Sequence, residues 1–502
     1  MNDMSHASSL APDLSHAEIR SILFGVMLAM FLAALDQTIV ATALPTIGRE
    51  LGDLEHLPWV VTAYLLSATA IAPLYGKVAD IVGRRVTLLV AITVFVAGSV
   101  ACAIAPTLLT LILARALQGL GGGGLMSLSQ TIIGDIVSPK ERPRYQGYIA
   151  GVYALSSISG PVLGGFISQH LHWSFIFWIN VPLGFAALAM TNAILKKLPR
   201  HERPHRLDVL GAALMACATV TLMLALNWGG VRLPWTSPEI LGLAGASLAL
   251  WVLFVIRLRT APEPLIPADV LANPVVARGV IAACFGMGVF IGLTIYTPIY
   301  LEAVHGLSAS ATGLALIPLM AGTVTGATIS GRVMARVTHY KRLPLCGLVM
   351  AMAALLALAA KPRDLPLAAL EVLLALTSLG LGALLPITTV SIQNAVMPHQ
   401  LGTATGSMNF FRQLGGALIV AGFGAIVLGG LPPGAAAGAS VENLSAAFAR
   451  SGLDMAATFR WVFVAAACGL AAAFVSLSLM EERPLRSRAS SASAPAPEIA
   501  GE

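Results

Sequence analysis

Asp36 and Arg115 are charged residues set inside apolar stretches, in Leu35-Asp36-Gln37-Thr38-Ile39 and Leu111-Ile112-Leu113-Ala114-Arg115. A charge at bilayer depth is costly unless it faces a cavity or a partner. Arg115 therefore acts either as a buried hydrogen-bonding hub that fixes helix packing, or in proton coupling or the attraction of an anion. Asp36 is its natural partner, and it either takes up a proton or a cation or serves structure alone. Counting helical rise from the ends of the two stretches puts Asp36 about 21 Å and Arg115 about 18 Å above the inner face of a core about 30 Å thick. An acid beside an arginine stays ionised, and an acid moved away from it into apolar surroundings gains protons more readily. Separating such a pair would tie a change of shape to a proton gradient.

Two further segments carry charge in a pattern. Gly76-Lys77-Val78-Ala79-Asp80-Ile81-Val82-Gly83-Arg84-Arg85 joins one carboxylate and three cations to glycines suited to a tight turn. It is either a solvated basic loop that sets topology, or a latch in which Asp80 caps or pairs across a neighbouring helix end and holds one side shut. Asn409-Phe410-Phe411-Arg412-Gln413 puts another arginine within a span, where it lines a cavity or bridges two halves. Glu302 and Glu371 lie near span ends, where a carboxylate can reach water, and the carboxy half has no mid-span acid.

The elements that hold these charges follow from composition. The chain has 502 residues, 57% of them hydrophobic and only 11% charged, against roughly a quarter charged in soluble proteins. An all-α integral membrane protein is the consequence. Apolar stretches at 21–46, 57–76, 86–105, 107–134, 146–168, 174–195, 208–228, 238–256, 276–301, 309–331, 343–360, 367–392, 403–429 and 458–480 predict fourteen spans. Asp36 interrupts what would be the core of a cleaved signal peptide, so the first stretch is expected to remain as a span. With the amino terminus inside, the outside segments hold only Arg49, Arg232, Lys361, Arg363, Arg450 and Arg460, and nearly all other basic residues face the cytoplasm. Both termini are then expected in the cytoplasm. The net charge of +6 reads as this topology signal rather than as a nucleic-acid surface. Cys102, Cys217, Cys284, Cys346 and Cys468 lie in apolar stretches without metal-ligand spacing, and no phosphate-binding GxxxxGK[ST] loop is present. No metal or cofactor is expected, and energy must come from an ion gradient or a partner.

A shift of 255 residues lays Gly76-Lys77-Val78 on Gly331-Arg332-Val333, and Gly147, Gly151 and Gly160 on Gly402, Gly406 and Gly415. Two separate sites sharing one offset point to a six-helix duplication. The expected layout is a tail at 1–18, a bundle at 19–196, linker loops with two extra spans at 197–274, a second bundle at 275–482 and a tail at 483–502. Parallel repeats of this kind enclose a substrate cavity between the halves and work by rocking.

Several segments resemble the major facilitator superfamily. Gly76 to Arg85 is similar to its GxLaDrxGrr loop, matched at Gly76, Asp80, Gly83, Arg84 and Arg85, which implies a cytoplasmic gate with Asp135 as partner. The stretch from Leu111 to Gly119 resembles the LxxxRxxQG signature of proton-coupled members, which ties Arg115 to proton transfer with Gln118 and Gly119 in support. Gly147, Gly151, Gly160, Pro161, Gly164 and Gly165 resemble the antiporter signature ending in GPxxGG, with Ser156 where glycine is typical. Such a helix also packs closely through small residues without any such role. Leu35 to Pro45 is similar to the LDxTIVNxALP segment of fourteen-span drug:proton antiporters, with Ala41 in place of Asn. Trp173 to Gly184, foremost an aromatic belt, is similar to WRWxFxINxPxG of the same family.

The resemblance implies the major facilitator fold, two six-helix halves plus two extra central helices. It also implies a proton antiporter that exports hydrophobic, cationic compounds across a bacterial cytoplasmic membrane. An exporter of one dedicated metabolite or antibiotic carries the same motifs. A membrane enzyme on lipid-linked substrates would want acid and histidine clusters that are missing, and a non-transporting sensor would not need Asp36 and Arg115. Asn409, Arg412 and Gln413 are candidate cavity residues. The outside loop at 430–457, with an amphipathic stretch from Val441 to Arg450, would suit a periplasmic adaptor.

Overall fold

The computed structural model describes residues 16–53, 56–197, 207–230, 232–430 and 454–485. Most of the loop at 430–457 and of the two tails, including the amphipathic stretch, lies outside them. The helices run in order as α1 His16–Leu51, α2 Trp59–Val82, α3 Arg84–Ala103, α4 Leu108–Ile136, α5 Arg142–His170, α6 Phe175–Trp178, α7 Asn180–Ile194, α8 Val209–Trp228 and α9 Pro238–Thr260. There follow α10 Ala268–Ala272, α11 Pro274–His305, α12 Ala309–Ala315, α13 Ile317–Met334, α14 Arg342–Ala360, α15 Leu367–Ala395, α16 Leu401–Gly429 and α17 Met455–Leu479. Among the described residues, fourteen segments are long and apolar enough to cross a membrane. The end from which α1 rises is here the base.

Local signals set these boundaries. Asp208, Ser237 and Asn273 each accept a backbone N–H at the start of a helix, and a proline follows the cap in α9 and α11. Gly83 alone joins α2 to α3 with a φ of 100°, a backbone that side-chain-bearing residues rarely adopt. The sixth span is interrupted at Ile179, between α6 and α7. The tails are shorter than expected. Helix α1 already begins at His16 with Glu18 in its first turn, where a carboxylate suits the helix dipole. Beyond α17, the carbonyls of Arg483 and Pro484 accept bonds from Tyr340 and Asn394, at 2.8 and 3.1 Å, which ties that stretch to the base of the second half.

Packing repeats across the halves. In the first, α1 packs on α5 and α7, and α4 packs on α2 and α3. In the second, α11 packs on α16 and α17, and α15 packs on α13 and α14. Between halves, α2 crosses α16 and α5 crosses α13. The hairpin α8–α9 leans on α2 and α16, with Met215 and Phe254 clustered against Phe410 and Leu414. Helix α9 is the most peripheral span, and Leu241, Leu248 and Val252 on it face outward, as lipid-facing side chains do. Of the cysteines, Cys102 is buried, whereas Cys217, Cys346 and Cys468 are exposed on the helix surface instead of packing inside.

Candidate functional site

Inside the first half, four helices meet on one carboxylate. Arg115 on α4 holds Asp36 on α1 at 2.5 Å, and both side chains are sealed from solvent, at 1% and 0% exposure. Gln118, one turn along α4, donates to Asp36 at 2.8 Å and to Ser99 on α3 at 2.7 Å. Asn180, the first residue of α7, donates to the same Asp36 oxygen at 3.0 Å. Arg115 is satisfied in turn by Gln118 Oε1 at 2.6 Å and the Val60 carbonyl at 2.9 Å, with the ring of Tyr64 stacked 4.3 Å from its guanidinium.

Glycines make this geometry possible. Any Cβ at Gly98 would strike the backbone of Gln118, and one at Gly119 would strike the Tyr64 carbonyl, so α2 and α3 reach α4 only because both positions are bare. Buried ion pairs add little net stability, but removing one partner strands the other at a cost of about 3–5 kcal/mol.

At the base lies a second charged cluster. Arg84 is held by Asp80 at 2.5 Å and by Asp135 at 2.7 Å. Asp80 and Asp135 do not pair directly, since two carboxylates need the cation between them. The second contact of Asp80 crosses to the other half, where it accepts from the backbone N–H groups of Gly402 and Thr403, at 3.0 and 2.7 Å, and from the Thr403 hydroxyl at 2.7 Å. A carboxylate of the first half thereby caps the open amino end of α16. Arg85 turns aside to Asn192 at 2.5 Å.

The duplicated glycines sit where the halves cross. Gly76 lies against the Gly402 carbonyl, and its repeat mate Gly331 lies against the Pro143 carbonyl, so neither place admits a side chain. Gly147 faces Thr328 across the α5–α13 crossing, while Gly160 and Gly164 rest on Thr38 and Ile39 of α1. A side chain at Gly151 or Gly165 would meet open space, and Pro161 faces outward.

Above the closed base, between the halves, is a cavity of about 310 Å³. Gln37, Thr38, Gln130, Gln146 and Tyr153 line it from the first half. Met287, Phe290, Met320 and Thr388 line it from the second, together with Asn409, Arg412 and Gln413 of α16. Arg412 lines the cavity and stays within its own half, donating to Thr388 and Thr389 at 3.0 and 2.9 Å. Beside the cavity the halves are bridged instead by Asn409, to the Gln130 side chain, and by Gln393, to the Gln130 carbonyl, each at 3.2 Å.

A cationic cargo would meet no carboxylate in the described wall, because Asp36 points into the bundle while Gln37 and Thr38 beside it face the cavity. Glu302 and Glu371 do not line it either. Sequence reasoning missed Ser99, Tyr64 and Asn180 around Asp36, and the amides of Gln37, Gln130 and Gln146. Asn180 lies in the aromatic segment from Trp173 to Gly184, but nothing in one dimension tells which residue of a distant helix shares a depth with Asp36.

A family model described as Major Facilitator Superfamily matches residues 26–420. The Multidrug transporter protein MdtP of Bacillus subtilis (strain 168) is 33% identical over 81% of this chain and 75% of its own. Multidrug resistance protein 3 of the same organism is 33% identical over 82% of this chain and 80% of its own. Among solved structures, the proton:xylose symporter XylE aligns with a TM-score of 0.62 at 15% identity, covering 93% of this chain and 97% of that one, which is a likeness of fold.

Proposed function

The chain belongs to the major facilitator superfamily, and from that premise we propose that it exports small hydrophobic compounds from the cytoplasm in exchange for protons. It is a multi-pass transporter and not an enzyme, and relatives a third identical over most of its length carry multidrug names. The base would face the cytoplasm of a bacterial inner membrane, with both termini there, in keeping with the Lys and Arg distribution.

The observation that carries proton coupling is the placement of Asp36. It is sealed beside Arg115, on the helix whose next two residues face the cavity. Arg115, Gln118 and Asn180 hold it inside the bundle. A shift of α1 that pulls it from Arg115 leaves a carboxylate in apolar surroundings, where it takes up a proton. Because α1 rests on Gly160 and Gly164 of α5, and α5 crosses into the second half, such a shift would travel to the crossings between halves. Asp80 of α2, capping α16, and the crossings at Gly76 and Gly331 act as the base latch, holding the cytoplasmic side shut until the halves rock.

The test is dye efflux driven by an imposed proton gradient in cells with matched surface expression, using lipophilic fluorescent dyes of either charge. Wild type is expected to move at least one dye and Asp36→Asn none. Efflux that persists after the gradient is collapsed would sink the antiport reading.

A further inference from the structure

Arg412 is the one charged residue among the described lining residues of the central cavity. Resting on the export reading above, we propose that the cavity takes amphipathic organic anions. Arg412 holds the acidic group, and Met287, Phe290 and Met320 receive the apolar body.

The two intramembrane arginines differ in what surrounds them. Arg115 has a carboxylate, an amide oxygen and a carbonyl. Arg412 is almost as deeply buried, at 7% exposure, yet it donates to the hydroxyls of Thr388 and Thr389, faces the phenol of Tyr153 across the cavity, and has no partner for its Nε among the described residues. Among the described residues no carboxylate pairs with it. The acid of the first half, Asp36, is already committed to Arg115, Gln118 and Asn180.

A guanidinium taken from water and given only hydroxyls is left short of negative charge. It lies about 16 Å along α16 from Leu401, near mid-membrane, where no carboxylate among the described residues supplies the missing charge. A carboxylate or sulfonate entering the cavity does, through a charge-assisted bond to the planar fork. A cationic ligand meets the opposite situation, repelled by Arg412 and offered no carboxylate by the described wall. The amides of Gln37, Gln130 and Gln146 face the same space and can bond to neutral parts of a cargo, which leaves sign selection to Arg412.

Three ligands sharing one ring system test this: naphthaleneacetate, naphthaleneacetamide and naphthylethylammonium. Their binding is measured by equilibrium dialysis against the full chain in nanodiscs, and their movement in proteoliposomes under a proton gradient. The wild type is expected to bind the acid about tenfold more tightly than the amide or the ammonium. Arg412→Gln should lose that preference, and Arg412→Lys should keep part of it. Both variants are checked for wild-type melting temperature, and the Lys variant carries the test if Gln fails to fold.

Equal binding of the three ligands, a preference for the ammonium, no binding of the acid, or an acid preference that survives Arg412→Gln each overturns the proposal. The two readings separate cleanly. Gradient-driven movement of the ammonium with the acid excluded removes this inference and leaves export standing. Binding of the acid through Arg412 without gradient-driven movement of any ligand supports this inference and removes proton-driven export.

Discussion

The two halves share a fold and divide the charge unequally. In the first half, Asp36, Arg115, Gln118, Ser99 and Asn180 form a closed polar cluster with no access to the cavity. In the second half, the 255-residue shift puts Ile291 in place of Asp36, and the bounds of α4 and α15 put Leu374 in place of Arg115, so the matching positions are apolar. The second half carries its buried cation at Arg412, whose counterpart in the first half, by the matching bounds of α5 and α16, is Tyr153, and both of these face the cavity. A duplicated scaffold has thus been loaded with a self-satisfied ion pair on one side and an open cation on the other. The first suits an internal switch, and the second suits contact with a cargo.

The sharpest way to break that contrast is to make the first half resemble the second. Asp36→Asn is expected to abolish gradient-driven transport, by roughly 100-fold or more, if the carboxylate alone takes the proton. Arg115→Leu by itself strands Asp36 and should cost about 3–5 kcal/mol, read as a large fall in melting temperature. The double variant Asp36→Ile with Arg115→Leu removes both charges, as at Ile291 and Leu374. It should melt well above Arg115→Leu, since an apolar pair replaces a buried ion pair at little cost or with a gain of about 1–4 kcal/mol, and it should still transport nothing. A double variant that melts no higher than Arg115→Leu would mean that the cluster holds the fold together rather than serving a switch.

The crossings sharpen the symmetry. Gly76→Val and Gly331→Val each drive a side chain into a carbonyl of the opposite half, and each should weaken closure of the base. Distances between spin labels at the base ends of α2 and α16, and of α5 and α13, would report it, with both pairs widening. A smaller effect is expected from Asp80→Asn, which keeps a side-chain oxygen at the α16 cap but loses the charge that also holds Arg84. The base should shift toward opening by about 1 kcal/mol.

Smallest of all is the hairpin outside the repeat. Arg257→Gln breaks its 3.0 Å bond to buried Asp208 and should lower stability by about 1 kcal/mol while leaving transport within about twofold.

Much of this was legible in the residues. Fourteen apolar stretches and the depth shared by Asp36 and Arg115 needed only length and rise per residue, whereas the 255-residue shift holds for α2 and α13 but slips by one helical turn where α4 and α5 match α15 and α16. The charged cluster at the base was half legible. Asp80, Arg84 and Asp135 were visible as a set, but the amino end of α16 as the group that Asp80 caps was not, because a helix start becomes a partner only when another helix ends beside it. Asn180 was hidden for the same reason, as a residue of an aromatic segment whose amide turns inward.

The sequence by itself determined the solvent, the span count and the positions where a charge must find company, since a lipid phase punishes an unpartnered charge whatever the fold. Only the tertiary structure decided who that company is. It turned Asp36 away from the cavity and toward Arg115, set the repeat glycines at the crossings, and left Arg412 facing open space. The reason is geometric: the rotation of each helix about its own axis is fixed by packing against neighbours distant in the chain, and that rotation decides whether a polar side chain meets a partner or a void.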